Sequence, residues 1–138
     1  TCALPIWRKS IMKKSIKKII AMGMMAVLIS SNAIAVSAQT KSGRVNGINF
    51  NAFSNFSRTT ASSGTVSSSP KLKTNVTSTY VYVDLRDNDM IKVKRSQSGT
   101  AAATLSFSAP RKCKSVSISS NHMASSGGDT WSGSTFES

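Results

Sequence analysis

The fold is decided by the stretch VTSTYVYVDLRDNDMIKVKRSQSGTAAATLSFS, residues 76–108. It alternates between apolar and polar residues over most of its length and is rich in β-branched and aromatic types, as half-buried strands are. Two clusters of turn-forming residues, 87–89 and 97–99, divide it into three segments of strand length. Because no helical periodicity accompanies this pattern, it predicts an antiparallel all-β domain.

Two further strands are predicted after residue 108. Segment 114–120 carries Val116 and Ile118, and a turn rich in Ser and Gly at 125–129 separates it from segment 130–137. The whole pattern predicts a small antiparallel sheet or sandwich of about four to six strands.

The alternation also predicts how the strands pair. Loops of three residues at 87–89 and 97–99 keep the apolar side chains on one face, since a slip of one residue exchanges the two faces of a strand. Gly99 then takes the third loop position, which needs a left-handed backbone conformation. The predicted cross-strand pairs are Val83–Val93, Leu85–Ile91 and Ile91–Leu105.

The same register predicts one exposed face that carries aromatic rings beside cations. Such a surface suits sugar rings that bear phosphate or carboxylate groups, by stacking and by charge. A second basic cluster follows Phe107 in a predicted loop, and loops often carry function. The alternatives are an ordinary solvated sheet face and a charged turn that discourages edge pairing. The predicted binding residues for an anionic ligand are Tyr80, Tyr82, Lys92, Lys94, Arg111, Lys112 and Lys114.

The charge of the chain favours an anionic partner. Its 18 Lys/Arg and 5 Asp/Glu give a formal net charge of +13, and all five acidic residues follow Ala38 together with twelve of the basic ones. The part after Ala38 therefore carries twelve minus five, or +7, which attracts anionic wall polymers, envelope precursors or an anionic membrane surface. No specific nucleic-acid binding is predicted. The alternative is that the charge only keeps a small secreted protein soluble.

The start of the chain has the anatomy of a Sec-type signal peptide. Met12 is followed by a Lys-rich segment and by eleven apolar residues, 19–29. This apolar run is shorter than the ~20 residues that span a bilayer. Small residues then lead to Ala38, so residues 12–38 are predicted to be a helical signal peptide that directs the protein outside the cell. Cleavage after Ala35 and an uncleaved anchor are the alternatives.

Three other segments complete the predicted organisation. Residues 1–11 do not fit the signal pattern, and 1–6 can be back-translated to the end of a common sequencing adapter. We therefore interpret 1–11 as an upstream read artefact. Residues 39–75 are polar and rich in Ser and Thr, and we expect them to be partly disordered, with one strand at 48–56. The antiparallel β domain is predicted to occupy 76–138.

Cys113 is the only cysteine after the leader. It is therefore predicted to be either a free thiol or the bridge of a Cys113-linked homodimer. The neighbouring cations should favour its thiolate form. A half-buried cysteine that serves as a small apolar residue is the alternative.

No pattern in the sequence is typical of an enzyme. His122 is the only histidine, and a pairing with Cys113 would lack a third group to orient the base. No zinc-spaced ligand set and no phosphate-cradling glycine loop is present in the sequence. We therefore predict no catalytic residue, no metal site and no cofactor, and a structural or surface role for His122.

The leader Met12–Ala38 and the segment HMASSGGDTWSGSTF, residues 122–136, together resemble lactococcin-type bacteriocins. That family consists of small Sec-exported β proteins with a basic surface, no internal disulfide and a late strand that contains Trp. The resemblance implies a Gram-positive-type source and action on cell-envelope precursors of competing bacteria. The favoured prediction remains a secreted, non-enzymatic β protein that binds anionic envelope or extracellular polymers, with the bacteriocin-like function as the alternative.

Overall fold

Eight β-strands make up the computed structural model over residues 37–138, which are the residues it describes. The predicted artefact 1–11 and nearly all of the predicted leader 12–38 lie outside this range. Between residues 37 and 138 no helix is long and apolar enough to cross a membrane. The strands are β1 Ser37–Val45, β2 Ile48–Phe56, β3 Thr60–Val66, β4 Lys73–Asp84, β5 Met90–Thr100, β6 Ala102–Ser108, β7 Cys113–Ser126 and β8 Asp129–Glu137.

The strands form two antiparallel sheets whose inner faces pack on each other. One sheet has the order β1-β2-β3-β6 and the other the order β5-β4-β7-β8. The edges β1 and β8 lie side by side, where the Phe136 N–H donates to Gln39 Oε1 at 3.0 Å. On the opposite side, Arg95 of β5 reaches β6, with its guanidinium 5.1 Å from the Phe107 ring centroid. The all-β prediction is confirmed, although the described residues hold more strands than the four to six expected.

Two of the eight strands, β2 and β3, and most of β1 lie in the segment 39–75, for which the sequence predicted partial disorder and a single strand. The predicted strand 48–56 is present as β2, and the two-residue loop Asn46-Gly47 connects it to β1. Both loop residues have positive φ, 47° and 78°, which matches the turn to the twist of the hairpin. Phe50 and Phe56 are buried against the other sheet, and that burial orders a stretch that is otherwise polar.

The register predicted for the β4–β5 hairpin is wrong. Tyr80 pairs with Val93 and Val83 pairs with Met90, a shift of three residues from the predicted alignment. The turn begins earlier than predicted, because the Asp84 N–H donates to the Asp89 carbonyl at 3.0 Å and places Leu85 in the loop. A shift by an odd number of residues reverses which side chains share a face.

The predicted second hairpin does not form. β5 continues through residues 97–99 and ends at a corner where Ala101 has a φ of 67°. The chain then crosses to the other sheet, where β6 pairs with β3, so Ile91 and Leu105 are not cross-strand partners.

The left-handed conformation predicted for Gly99 is not observed. Glycine is needed at this corner because it has no side chain. A Cβ at Gly99 would collide with the Ala102 carbonyl oxygen, which is backbone and cannot move away cheaply. We expect Gly99→Val to lower the free energy of unfolding by about 1–3 kcal/mol, as overpacking does. Urea unfolding measures this loss. The control is Thr100→Val, at the exposed neighbouring position of β5. Equal stability of the two variants would contradict the steric account.

The interior between the sheets is divided into two apolar clusters and a polar layer. On β2 the buried Ser54 lies between Phe50, in the smaller cluster, and Phe56, in the larger. On β7 two polar residues likewise lie between Ile118 and Ala124. The side chains of this polar layer are Ser54, Ser63, Thr65, Ser78, Ser120, His122 and Thr135. No buried side-chain N or O atom in the described part of the chain lacks a hydrogen-bond partner, so the layer is not penalised by unpaired groups.

Candidate functional site

Three lysines lie together on the outer face of the second sheet. Lys92 on β5 stands opposite Val81 of β4, and Lys94 stands opposite Thr79. Lys114 on β7 stands opposite Val83, on the other side of β4. All three lysines are exposed, and the two valines between them are half-buried. We call Lys92, Lys94, Lys114 and the β4 residues between them the basic face.

The strand geometry sets the spacing of these charges. Lys92 and Lys94 are two residues apart on one strand, which corresponds to about 7 Å between their Cα atoms. Lys114 lies across β4 in the row of Met90, two residues along from Lys92, so the Cα of Lys114 is about 12 Å from that of Lys92 and about 16 Å from that of Lys94. The basic face therefore presents three cations on one surface of the sheet, where several anionic groups of one ligand can be bound at once.

A β-bulge is what brings Lys114 to this face. Val81 pairs with Ser117 but Tyr82 pairs with Ser115, so Val116 is the extra residue on β7. Without it, the alternation that points Ile118 inward would point Lys114 inward too. The bulge instead turns Lys114 outward and Ser115 inward. No such irregularity is visible in the sequence.

The basic turn, Arg111 and Lys112, adjoins the basic face at one end of the sandwich. The Leu85 N–H donates to the Lys112 carbonyl at 3.0 Å, which holds this turn against the β4–β5 loop. Lys112 has a φ of 66°, and both cationic side chains are exposed. Five of the seven predicted binding residues thus lie on two adjoining surfaces.

These five cations are not neutralised by ion pairs. Within residues 37–138 the ion pair present joins Arg86 and Asp84, with an N···O distance of 2.5 Å. Hydrogen bonds from Arg86 lower the pKa of Asp84 to about 2, so this carboxylate stays charged and paired with Arg86. Asp87 and Asp89 are exposed in the same loop.

The other two predicted binding residues, Tyr80 and Tyr82, do not belong to this surface. Both rings point into the larger apolar cluster, and Tyr80 is only 1% exposed. The Tyr80 hydroxyl lies 2.6 Å from Ser115 Oγ, and its ring centroid lies 5.2 Å from that of Phe107. Burial raises the pKa of both phenols. The predicted face of aromatic rings beside cations is therefore not assembled, because the shifted register turns the tyrosines to the core.

His122 is held inside the polar layer by two threonines. Nδ1 lies 3.1 Å from Thr65 Oγ1 and Nε2 lies 2.8 Å from Thr135 Oγ1, so each ring nitrogen is hydrogen-bonded to one hydroxyl group. Burial, with a smaller effect from the nearby Lys41 charge, lowers the pKa of His122 to about 4. The ring is therefore neutral at physiological pH.

The structure does not bring Cys113 and His122 together. They lie nine residues apart on β7, which corresponds to about 30 Å along a strand. Cys113 is buried in the larger apolar cluster and is not a free thiol, and Cys2, the other cysteine of the sequence, lies outside the described residues. The Cys113-linked homodimer stays a prediction. No group of three His, Cys, Asp or Glu side chains in residues 37–138 is arranged to hold a metal ion.

The β4 side chains that lie between the lysines of the basic face were not predicted from the sequence. Val81 and Val83 were assigned to the core because they are apolar, whereas both sheet faces of β4 carry apolar groups. The alternation of Val with Tyr could have indicated this ambiguity, since tyrosine has an apolar ring as well as a polar tip. No protein-family model, no curated protein and no solved structure matches this chain.

Proposed function

We propose that this chain is a secreted, non-enzymatic protein that binds anionic polymers of the cell envelope or the extracellular space. The observation that carries the proposal is the group of five exposed cations, without ion-pair partners, on the basic face and the basic turn. The Sec-type leader in the sequence supports a site of action outside the cell.

The chemistry of the basic face suits a long ligand with repeated charges. Lysine carries a compact, well-hydrated charge on a flexible stem, which tolerates many positions of a phosphate or carboxylate. Thr79 and Ser119 lie in one row with Lys94, and Ser117 lies in one row with Lys92. These hydroxyl groups can donate to or accept from the sugar or glycerol units between the charges.

Charge reversal at two lysines tests this function. In Lys92→Glu with Lys94→Glu, we expect retention on immobilised poly(glycerol phosphate) to fall by about tenfold or more, since attraction becomes repulsion at the centre of the face. The matched control is Lys71→Glu with Lys73→Glu, which changes the net charge equally. Lys71 lies in the turn before β4 and Lys73 is its first residue, so both are distant from the basic face. Equal losses in both variants would show that net charge, and not the basic face, controls binding.

Salt provides an independent measure of the same interaction. The Debye length of about 8 Å at physiological ionic strength is comparable to the lysine spacing, so retention should weaken steeply as salt is added. The protein expressed from the full chain is loaded on the immobilised polymer and on neutral dextran. Retention that does not respond to salt, or that is equal on dextran, would contradict a charge-driven function.

A further inference from the structure

Two large apolar side chains are exposed at the end of the sandwich where the cations gather. Leu85, in the β4–β5 loop, is 53% exposed, and Met90, the first residue of β5, is 63% exposed. The other exposed large hydrophobic residues of the described chain, Met123 and Phe136, lie elsewhere on the second sheet. We call Leu85 and Met90 the apolar tip.

Cations border the apolar tip on the side of β7. The hydrogen bond from the Leu85 N–H to the Lys112 carbonyl places the basic turn directly beside Leu85. Met90 stands opposite Val83, which stands opposite Lys114 on the next strand. This row of the outer sheet face is therefore apolar at Met90 on β5 and cationic at Lys114 on β7.

We propose that the apolar tip inserts into the headgroup region of an anionic lipid bilayer while the basic turn and basic face bind the lipid phosphates. A soluble polyanion can use the cations but has no apolar phase to receive Leu85 and Met90. A bilayer with anionic headgroups offers both, and such surfaces attract clustered Lys and Arg residues. Charge complementarity and exposed apolar area therefore point to the same partner.

The carboxylates of the loop limit how this surface can act. Asp84 is paired with Arg86, but Asp87 and Asp89 are exposed and repel an anionic surface. Charge alone is therefore weaker at the tip than on the basic face. We infer that apolar insertion makes the tip bind, and that the lysines orient the sheet toward the bilayer.

This inference rests on the proposed function because it uses the same cations, and one set of variants separates the two. The full-length protein is mixed with vesicles of phosphatidylcholine alone and with vesicles that also contain phosphatidylglycerol, and bound protein is measured by flotation. Wild type should bind the anionic vesicles preferentially. In Leu85→Ser with Met90→Ser, we expect vesicle binding to fall by about tenfold, the loss expected from two partly buried apolar side chains.

The same serine variant should keep its retention on poly(glycerol phosphate), whereas Lys92→Glu with Lys94→Glu should lose both activities. Met123→Ser is the matched control, since Met123 is 46% exposed at the far end of the same sheet. Both serine positions are exposed, so a thermal melt should show an intact fold. The inference would be overturned if wild type did not bind anionic vesicles, or if the Leu85→Ser with Met90→Ser variant bound them as well as wild type. Polymer retention independently decides the proposed function.

Discussion

Tyr80→Ala should lower the free energy of unfolding by about 3–5 kcal/mol, the cost typical of removing a buried aromatic ring. Tyr80 is almost completely buried and contacts Tyr82 and Phe107, at centroid distances of 5.7 and 5.2 Å. Its removal leaves a cavity between the sheets and an unpaired hydroxyl at Ser115. Urea unfolding followed by fluorescence or circular dichroism measures the loss.

Two further variants make this result specific. Tyr80→Phe keeps the ring and removes only the hydroxyl group, so it should cost about 1–3 kcal/mol, because the buried Ser115 hydroxyl loses its partner. Val81→Ala should also cost less than Tyr80→Ala, because Val81 lies half-buried on the outer face. If Val81→Ala proved the more destabilising, the valines and not the tyrosines of β4 would face the core.

Acid should destabilise the protein through His122, in a range of pH where most carboxylates are still charged. The pKa of His122 is about 4 in the folded chain, below the ordinary value of 6.5. The unfolded chain therefore binds the proton more tightly than the folded chain, and the free energy of unfolding decreases as the pH falls. The contribution is fully present above about pH 6.5 and is lost as the pH falls to about 4, a difference of about 3 kcal/mol.

Comparison with His122→Gln isolates this contribution. Glutamine can still donate and accept hydrogen bonds but does not titrate, so the difference in free energy of unfolding between the two proteins should depend on pH. Asp84, whose pKa is lowered to about 2, loses its stabilising charge only in stronger acid. Glu137, whose pKa is raised by burial, acts equally in both proteins. The free energy of unfolding of both proteins is measured from neutral pH to about pH 4. A constant difference between them would show that His122 does not titrate on unfolding.

The polar layer has a physical consequence beyond this titration. Hydroxyl groups from both sheets meet within it, for example Ser54 with Ser120 at 3.0 Å and Ser63 with Ser78 at 2.5 Å. Hydrogen bonds are directional, whereas apolar contacts are not, so these pairs define how one sheet lies on the other. A domain with few large apolar residues can in this way keep one arrangement of its sheets.

Much of the strand pattern could be read from the sequence. Segment 48–56 and the β-rich character of 76–108 were predicted because alternation and β-branched residues reflect local preferences of the backbone. The Asn46-Gly47 turn is also a strong local signal for a hairpin, and it was overlooked in a segment interpreted as disordered. Of the predicted site, the positions of Lys92 and Lys94 on the solvent face of β5 needed only the alternation of that strand.

The amino-acid sequence by itself determined that this chain forms alternating strands from residue 76 onward, that turns follow near 87–89 and 125–129, and that the protein is strongly basic. Only the tertiary structure decided which face of β4 is buried, since Tyr80 gains more contact area and a hydrogen bond in the core than Val81 would. It also decided that β5 and β6 separate at Ala101 and that the bulge at Val116 turns Lys114 outward. These features depend on which sheet each strand joins, and pairing between residues distant in sequence leaves no periodic signal in a strand.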